Sequence, residues 1–394
     1  MRTIFTFVLL LSSFSVMAEF KHLRVLMHSD PSHKAMVVYT LDKKKYAKGS
    51  ELVYSINQKM DEKDVKINKI TKYSVKSLKR GGKYLLKFDL NNLKENSTVY
   101  FKISTPNKTS KLYHFKTAPK DKNAPLALLF GGDSRSDSAQ RRVMNKKMKE
   151  LVVQNPEIIA LVFGGDMIEN GMKWSQWEKW LEDYQVTITD DNRILPFVPV
   201  RGNHETDRKL FNQLFFMDEA GFEDVYYVSY FSDLAIINLN TNISHLGKQR
   251  KWLESTLKDL SSKGYWMVPN YHRPAYPAVK SPGKAKKHWV PLFEKYGVDF
   301  VFESDGHALK RTAPIFNGEI NHQKGIVYLG EGGLGVRQRN PDRGNKWYFQ
   351  SPGYTYSMHH AFLLRKKNGS IKVSVEVPDS NKSFDQMTFE KRNN

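Results

Sequence analysis

Ile158-Ile159-Ala160-Leu161-Val162-Phe163-Gly164-Gly165-Asp166 joins six apolar residues to two glycines and a carboxylate. A short apolar run bounded by turn residues reads as a buried strand, and glycine allows the chain to turn tightly behind it. The pattern recurs along the chain. Leu126–Phe130 leads into Gly131-Gly132-Asp133, and Phe197–Val200 into Gly202-Asn203-His204-Glu205. Trp266–Val268 leads into Tyr271-His272-Arg273-Pro274, and Val298–Phe302 into Ser304-Asp305-Gly306-His307. In an open α/β sheet the carboxyl ends of the strands converge on one rim, where ligands bind. Five such loops would collect carboxylates, an amide and imidazoles. That mixture of hard oxygen and borderline nitrogen donors suits divalent or trivalent metals, and two metals side by side clamp an in-line attack on phosphorus.

Between these blocks the spacing of apolar residues predicts amphipathic helices over Ser138–Gln154, Trp174–Val186, Lys248–Leu260 and Val290–Tyr296. Alternating strands and helices imply a layered α/β domain. At the end, His360–Lys366, Ser370–Val377 and Gln386–Glu390 read as strands, with turns at Asn368-Gly369 and Asp379-Ser380-Asn381. The first hundred residues differ. Runs such as Lys34–Leu41, Lys83–Leu90 and Thr98–Ser104 are rich in β-branched and aromatic residues, with polar turns between them. Residues 19–119 are therefore expected to form an all-β sandwich. Its histidines His22, His28, His33 and His114 lack metal-ligand spacing and read as structural or surface residues. Residues 120–125, charged and bounded by Pro119 and Pro125, read as a linker to a second domain over 126–394.

The first 18 residues read as a cleavable export signal: Arg2, an apolar core from Ile4 to Phe14, and Val16-Met17-Ala18. That core is shorter than the roughly 20 residues a membrane span needs, and no other stretch is long and apolar enough. A secreted or periplasmic protein is the expectation. Cysteine is absent, which excludes disulfides and a lipid-attachment cysteine. The formal net charge of +21 is mostly lysine. It reads first as a solubilising surface. A positive field also draws polyanions and phosphorylated substrates, but no nucleic-acid-binding motif accompanies it. Composition says nothing about oligomeric state.

The five blocks in this order, with Gln249–Glu254 and Arg311–Ile315 between and after them, resemble the calcineurin-like metallophosphoesterases, in particular their purple acid phosphatase-like branch. The resemblance runs from about Ala124 to the C-terminus. A weaker one covers the first hundred residues, where Lys111–Pro119 looks like the last strand and exit of a fibronectin type III-like domain. The fold implied is multidomain: an N-terminal fibronectin type III-like all-β sandwich, then an αββα metallophosphoesterase sandwich. The cofactors implied are two divalent or trivalent ions, of iron, manganese or zinc. The activity implied is phosphomonoester hydrolysis by a metal-bound water or hydroxide. A phosphodiesterase or nucleotidase on the same site is the second expectation. A non-catalytic protein that binds polyanions or the cell envelope is the rival.

Carried onto this chain, the resemblance makes Asp133 a ligand of the first metal and Asp166 the bridge between both. Asn203 and His272 become ligands of the second metal. His204 faces the phosphate and assists the leaving group, while Glu205 would either orient the imidazole of His204 or stand at the surface. Arg135, Arg273 and Arg337 are candidate substrate contacts, with pairing to Glu169, structural packing and surface charge as their respective alternatives, and Tyr276 is expected on the pocket wall. Two positions depart from the pattern. Where Gly-His-x-His is usual, an ungapped reading back from Arg311-Thr312 puts Asp305 and His307 on the two histidines. Asp305 would then complete the second metal and His307 the first; a shifted register would instead place His307 on the first histidine. Where the purple enzymes carry a tyrosine, this chain has Glu169, a further candidate ligand. Arg135 stands where other members place a histidine, and a guanidinium cannot coordinate.

Overall fold

The computed structural model describes residues 20–60, 62–63, 65–341 and 346–391. The expected signal at residues 1–18 lies outside the described residues. Two large sheets face each other. The first has ten strands, in the order Asp385–Glu390, Ser370–Glu376, Ala361–Lys367, Leu126–Gly131, Ile158–Phe163, Phe197–Pro199, Lys21–Leu26, Ala35–Leu41, Tyr84–Leu90 and Ser74–Ser77. The second has seven, in the order Tyr227–Phe231, Leu234–Leu239, Trp266–Tyr271, Phe300–Glu303, Val327–Gly330, Leu309–Arg311 and Tyr354–Tyr356. Phe130 and Phe302 stack between the sheets with ring centroids 3.9 Å apart.

The sequence dictates these layers. Ile158–Phe163 is buried at every position, as expected of a strand covered on both faces. In the second sheet, Leu234 and Ile236 join the apolar cluster between the sheets, whereas Ala235, Ile237 and Leu239 join a second cluster with Leu253, Leu257 and Leu260 of helix Gly247–Ser262. This two-residue alternation places a helical layer outside the second sheet. Helices Ser138–Gln154 and Trp174–Tyr184 cover the other side through Met144, Met148, Leu151, Trp177 and Leu181. Burying each such side chain stabilises the fold by about 1.5–3 kcal/mol. The chain thus folds as a layered α/β sandwich, two sheets face to face with helices outside them. Helices Ser138–Gln154 and Val290–Tyr296 keep the limits that periodicity predicts. Helix Arg208–Phe215 follows the third block too closely for its short apolar pattern to stand out.

The N-terminal strands are shared between two sheets. Lys21–Leu26, Ala35–Leu41, Ser74–Ser77 and Tyr84–Leu90 belong to the ten-stranded sheet, and Leu26 pairs in parallel with Phe197. Asn68–Ile70, Glu51–Ser55, Thr98–Thr105, Lys108–Thr109 and Tyr113–Lys116 form a separate five-stranded sheet. One apolar cluster runs from Leu23 through Phe88 and Phe115 to Val162 and Leu363. Residues 120–125 adopt neither helix nor strand, yet Lys366 holds the Lys122 carbonyl at 2.5 Å. Among the described residues no helix is long and apolar enough to cross a membrane.

Candidate metal centre

Four of the five polar blocks meet at one point. One ligand atom from each of Asp133, Asp166, His272 and Asp305 lies within 4.8 Å of the others, and all four residues are buried. Asp137, not Asp133, caps the helix that follows the first block, which leaves the Asp133 carboxylate turned into the rim. His307 joins at the side, its Nε2 3.3 Å from Asp133 Oδ1. His272 donates Nδ1–H to the Gly164 carbonyl at 2.9 Å, so its Nε2 is the atom turned towards Asp166 Oδ1 at 3.2 Å. Asp133 Oδ1, Asp166 Oδ2, His272 Nε2 and His307 Nε2 are buried without a hydrogen-bond partner. Such orphaned atoms are costly. Two carboxylate oxygens and two imidazole nitrogens left unpaired around one site fit divalent or trivalent cations.

The backbone is strained where these side chains emerge. Asp133, Asp166, Asp305 and His307 have φ values of 54°, 59°, 68° and 60°, a conformation uncommon outside glycine. Strain of this kind persists where the surroundings over-determine it, and the neighbours do so here. The Asp305 N–H donates to Asp133 Oδ2 at 2.8 Å, and the His204 N–H to Asp166 Oδ1 at 2.9 Å. Gly332, in the glycine-rich run after Val327–Gly330, packs so closely that a Cβ there would strike the Asp133 carboxylate.

Charge is concentrated at this point. Burial works against ionisation of Asp305, but His272 and Lys280 outweigh it and hold the carboxyl well below the usual range. Burial likewise opposes protonation of His272, while Asp166 and Asp305 raise its pKa well above the ordinary imidazole value. The same carboxylates that favour a charged imidazole would favour a cation at this point.

Asn203 is half-buried on the same rim, and Asn242 braces its loop by donating to the Gly202 carbonyl at 2.9 Å. His204 donates Nδ1–H to the Glu169 backbone carbonyl at 2.7 Å, leaving Nε2 3.8 Å from Asp166 Oδ2. The imidazole of His204 is therefore oriented by Glu169, not by Glu205 as expected. Glu205 is fully buried and accepts N–H bonds from Asp166 (3.0 Å), Met167 (2.6 Å) and Gly202 (2.7 Å). Burial and the nearby Asp166 push its pKa up to about 7. The expectation failed because a carboxylate one residue from His204 has backbone amides closer to hand than the ring.

The Glu169 side chain lies outside the four-residue group and forms an ion pair with Arg135. Arg135 also places Nε 3.5 Å from Asp166 Oδ2. Arg337 is exposed beside His307 and Arg135 in one cleft. Arg273 is exposed next to His272 but does not line that cleft. Tyr276, expected on the pocket wall, is only 1 % exposed and packs against Tyr328 and Tyr348.

Two features escaped the sequence reading. Lys280 Nζ lies 2.5 Å from Asp305 Oδ1. Behind the fifth block, Lys310 is buried between Glu303 and Glu331 and donates to the Tyr276 carbonyl at 2.6 Å. Glu303 in turn accepts from the Tyr271 hydroxyl and the Ala275 N–H.

Residues 128–309, which hold all five blocks from Asp133 to His307, match the calcineurin-like phosphoesterase family model. The chain carries a calcineurin-like phosphoesterase domain. Purple acid phosphatase 15 of Arabidopsis thaliana is 22% identical over 302 residues, 64% of this chain and 53% of that protein. The chain thus spans about half the length of the curated relatives it matches. In structure, the phosphoesterase domain and the strands before it resemble the purple acid phosphatase PPD1 of yellow lupin (Lupinus luteus). The TM-score is 0.76 at 15% identity, over 93% of this chain and 73% of that one. PhoD matches with a TM-score of 0.66 at 11% identity, over 94% and 89% of the two chains. Likeness at these identities reports the fold.

Proposed function

We propose that this protein is an exported phosphomonoesterase that uses two metal ions. Asp133, Asp166, Asn203, His272, Asp305 and His307 would hold them, with Asp166 between the two. The single observation that carries the reading is the set of buried, unpartnered ligand atoms on Asp133, Asp166, His272 and His307. When bound, ions at this position supply Lewis acidity, neutralising phosphoryl oxygens and acidifying an attacking water. The chain's own residues do the rest. Because His204 gives Nδ1–H to Glu169, a proton on its Nε2 faces the rim and is available to the leaving oxygen. Arg135 offers a permanent positive charge to a phosphoryl oxygen, and its ion pair with Glu169 sets the direction of its fork.

The reading includes a fibronectin type III-like sandwich over residues 19–119, a linker over 120–125 and the metallophosphoesterase domain over 126–394. Successive N-terminal strands cross between two sheets, from Ala35–Leu41 to Glu51–Ser55, back at Ser74–Ser77, and over again at Thr98–Thr105. This interleaving supports a sandwich. Export rests on the signal-like first 18 residues.

Metal analysis of the purified protein, paired with p-nitrophenyl phosphate hydrolysis, tests the function. Asp166→Asn is expected to lose at least one metal equivalent and nearly all turnover, because a neutral amide would replace the carboxylate that both ions would share. Turnover like the parent's in that variant sinks the assignment.

A further inference from the structure

A cleft of about 470 Å³ opens beside the metal rim, lined by Arg135, Ser136, His307, Arg337, Gln338 and Arg339. Two of its residues belong to both places. His307 Nε2 is 3.3 Å from Asp133 Oδ1, and Arg135 Nε is 3.5 Å from Asp166 Oδ2. The cleft therefore begins where a scissile phosphate would sit and leads away from it.

Its charge is one-sided. Among the described residues, three guanidinium groups line it and no carboxylate does. Arg339 is held in place, its side chain donating to the Asp305 carbonyl at 3.2 Å and its backbone N–H to the His307 carbonyl at 2.8 Å. Neither bond neutralises it. Arg337 is exposed and has no ion-pair partner among the described residues. Guanidinium stays charged at any working pH; Arg135 is paired with Glu169, whereas no ion pair among the described residues compensates Arg337 or Arg339. Their planar forks match the oxygens of a phosphate group. The metal cluster and Arg135 already serve one phosphate, which leaves Arg337 and Arg339 for another anion further along the cleft.

We propose that this cleft binds a second phosphate group of the substrate. The substrate class is then an organic or inorganic phosphate bearing at least two phosphate groups, linked either as an anhydride or as two separate esters. The inference rests on the phosphoesterase reading and narrows its substrate. The scissile phosphate is the one on the rim, and the second phosphate is held unreacted by Arg337 and Arg339.

The test compares kcat/KM of the metal-loaded, full-length protein for p-nitrophenyl phosphate, inorganic pyrophosphate and fructose 1,6-bisphosphate. At least one two-phosphate substrate should exceed p-nitrophenyl phosphate about tenfold; pyrophosphate in the lead identifies the anhydride, the bisphosphate the separate esters. Arg337→Gln should lower the two-phosphate value about tenfold more than the p-nitrophenyl phosphate value. Hydrolysis of all three substrates without preference, or equal loss on all of them in Arg337→Gln, overturns the inference and leaves the phosphoesterase reading standing. Calorimetry with non-hydrolysable ligands reads the cleft even if turnover is absent, with metal content checked before and after. Methylenediphosphonate should bind about tenfold tighter than methylphosphonate, and Arg337→Gln should erase the difference. Equal affinity for the two ligands in the parent protein overturns the inference on its own.

Discussion

One half of the metal rim is held by a carboxylate that collects backbone amides, the other by side chains of opposite charge. At the ends of strands Ile158–Phe163 and Phe197–Pro199, Glu205 accepts N–H bonds from Asp166, Met167 and Gly202. At the ends of Phe300–Glu303 and Val327–Gly330, Lys310 sits between Glu303 and Glu331. The first device fixes main chain directly, so Asp166 and the Asn203 loop move together or not at all. The second ties three strands through long side chains and leaves the loop carrying Asp305 to be set from outside, by Lys280. The half braced on backbone keeps the Gly-Gly-Asp and Gly-Asn-His-Glu blocks that the resemblance implies and departs from the pattern only beyond them, at Glu169. The half braced on side chains is where an aspartate stands in place of a histidine. A carboxylate there adds a negative charge, and the lysine beside it offsets that charge.

The largest effect expected of any change to this pair of braces is from Lys310→Met. It leaves Glu303 and Glu331 facing each other without a cation, which typically costs about 3–5 kcal/mol. Urea unfolding of the variant should show a loss of that size; a loss under about 1 kcal/mol would mean the cluster is not a brace.

The same half should respond to pH. Burial raises the Glu331 carboxyl from 4.5 to about 7, with Lys310 offsetting part of the effect. Between those values the folded protein retains a proton that the unfolded chain has released. This group's contribution to stability is thus full at low pH and declines as pH rises through the window, by at most about 3 kcal/mol. The urea midpoint of Glu331→Gln should change less between pH 5 and pH 8 than that of the parent. An identical pH profile in both would place the titration elsewhere.

Glu205→Gln probes the other half. An amide of the same shape offers one acceptor oxygen where the carboxylate offers two, so at least one buried N–H loses its partner, at about 1–3 kcal/mol. Turnover should fall as well, since Asp166 and Gly202 share the brace. Loss of stability with unchanged kcat would show that the brace does not position the rim.

Lys280→Met should have the smallest effect on stability, under about 1 kcal/mol for a partly exposed pair. Its signature is metal retention. With Asp305 Oδ1 released from the ammonium, the protein should keep its metal at higher chelator concentration than the parent. Weaker retention would show that Lys280 helps to hold Asp305 in place for the ion.

The braces differ in how visible they are in sequence. Gly164-Gly165-Asp166 and Gly131-Gly132-Asp133 announce themselves, because an apolar run must stop before a buried carboxylate and glycine marks the stop. Counting back from Arg311 puts Asp305 in the block that would share a metal with His272, and His272 Nε2 lies 3.6 Å from Asp305 Oδ1. Lys280 could not be picked out, being one lysine among many in a chain with a net charge of +21. Glu331 lies inside the glycine-rich run after Val327–Gly330, where nothing local signals a buried carboxylate. Glu205 stands beside His204 in sequence, and that adjacency does not show the three amides that fold back onto it. The pairing of Leu26 with Phe197 is also invisible locally, because parallel partners so far apart in the chain leave no turn signal.

That last pairing has a consequence for solubility. Strand Phe197–Pro199 lies between Ile158–Phe163 and Lys21–Leu26, so the N-terminal strands act as a lid on what would otherwise be the open margin of the first sheet. A version of the protein starting at residue 120 would retain every proposed metal ligand. It would also present a bare strand, next to apolar surface that Leu23 and Val25 now cover, as a template for another chain. Such a version would be lost to self-association before any question of catalysis arose.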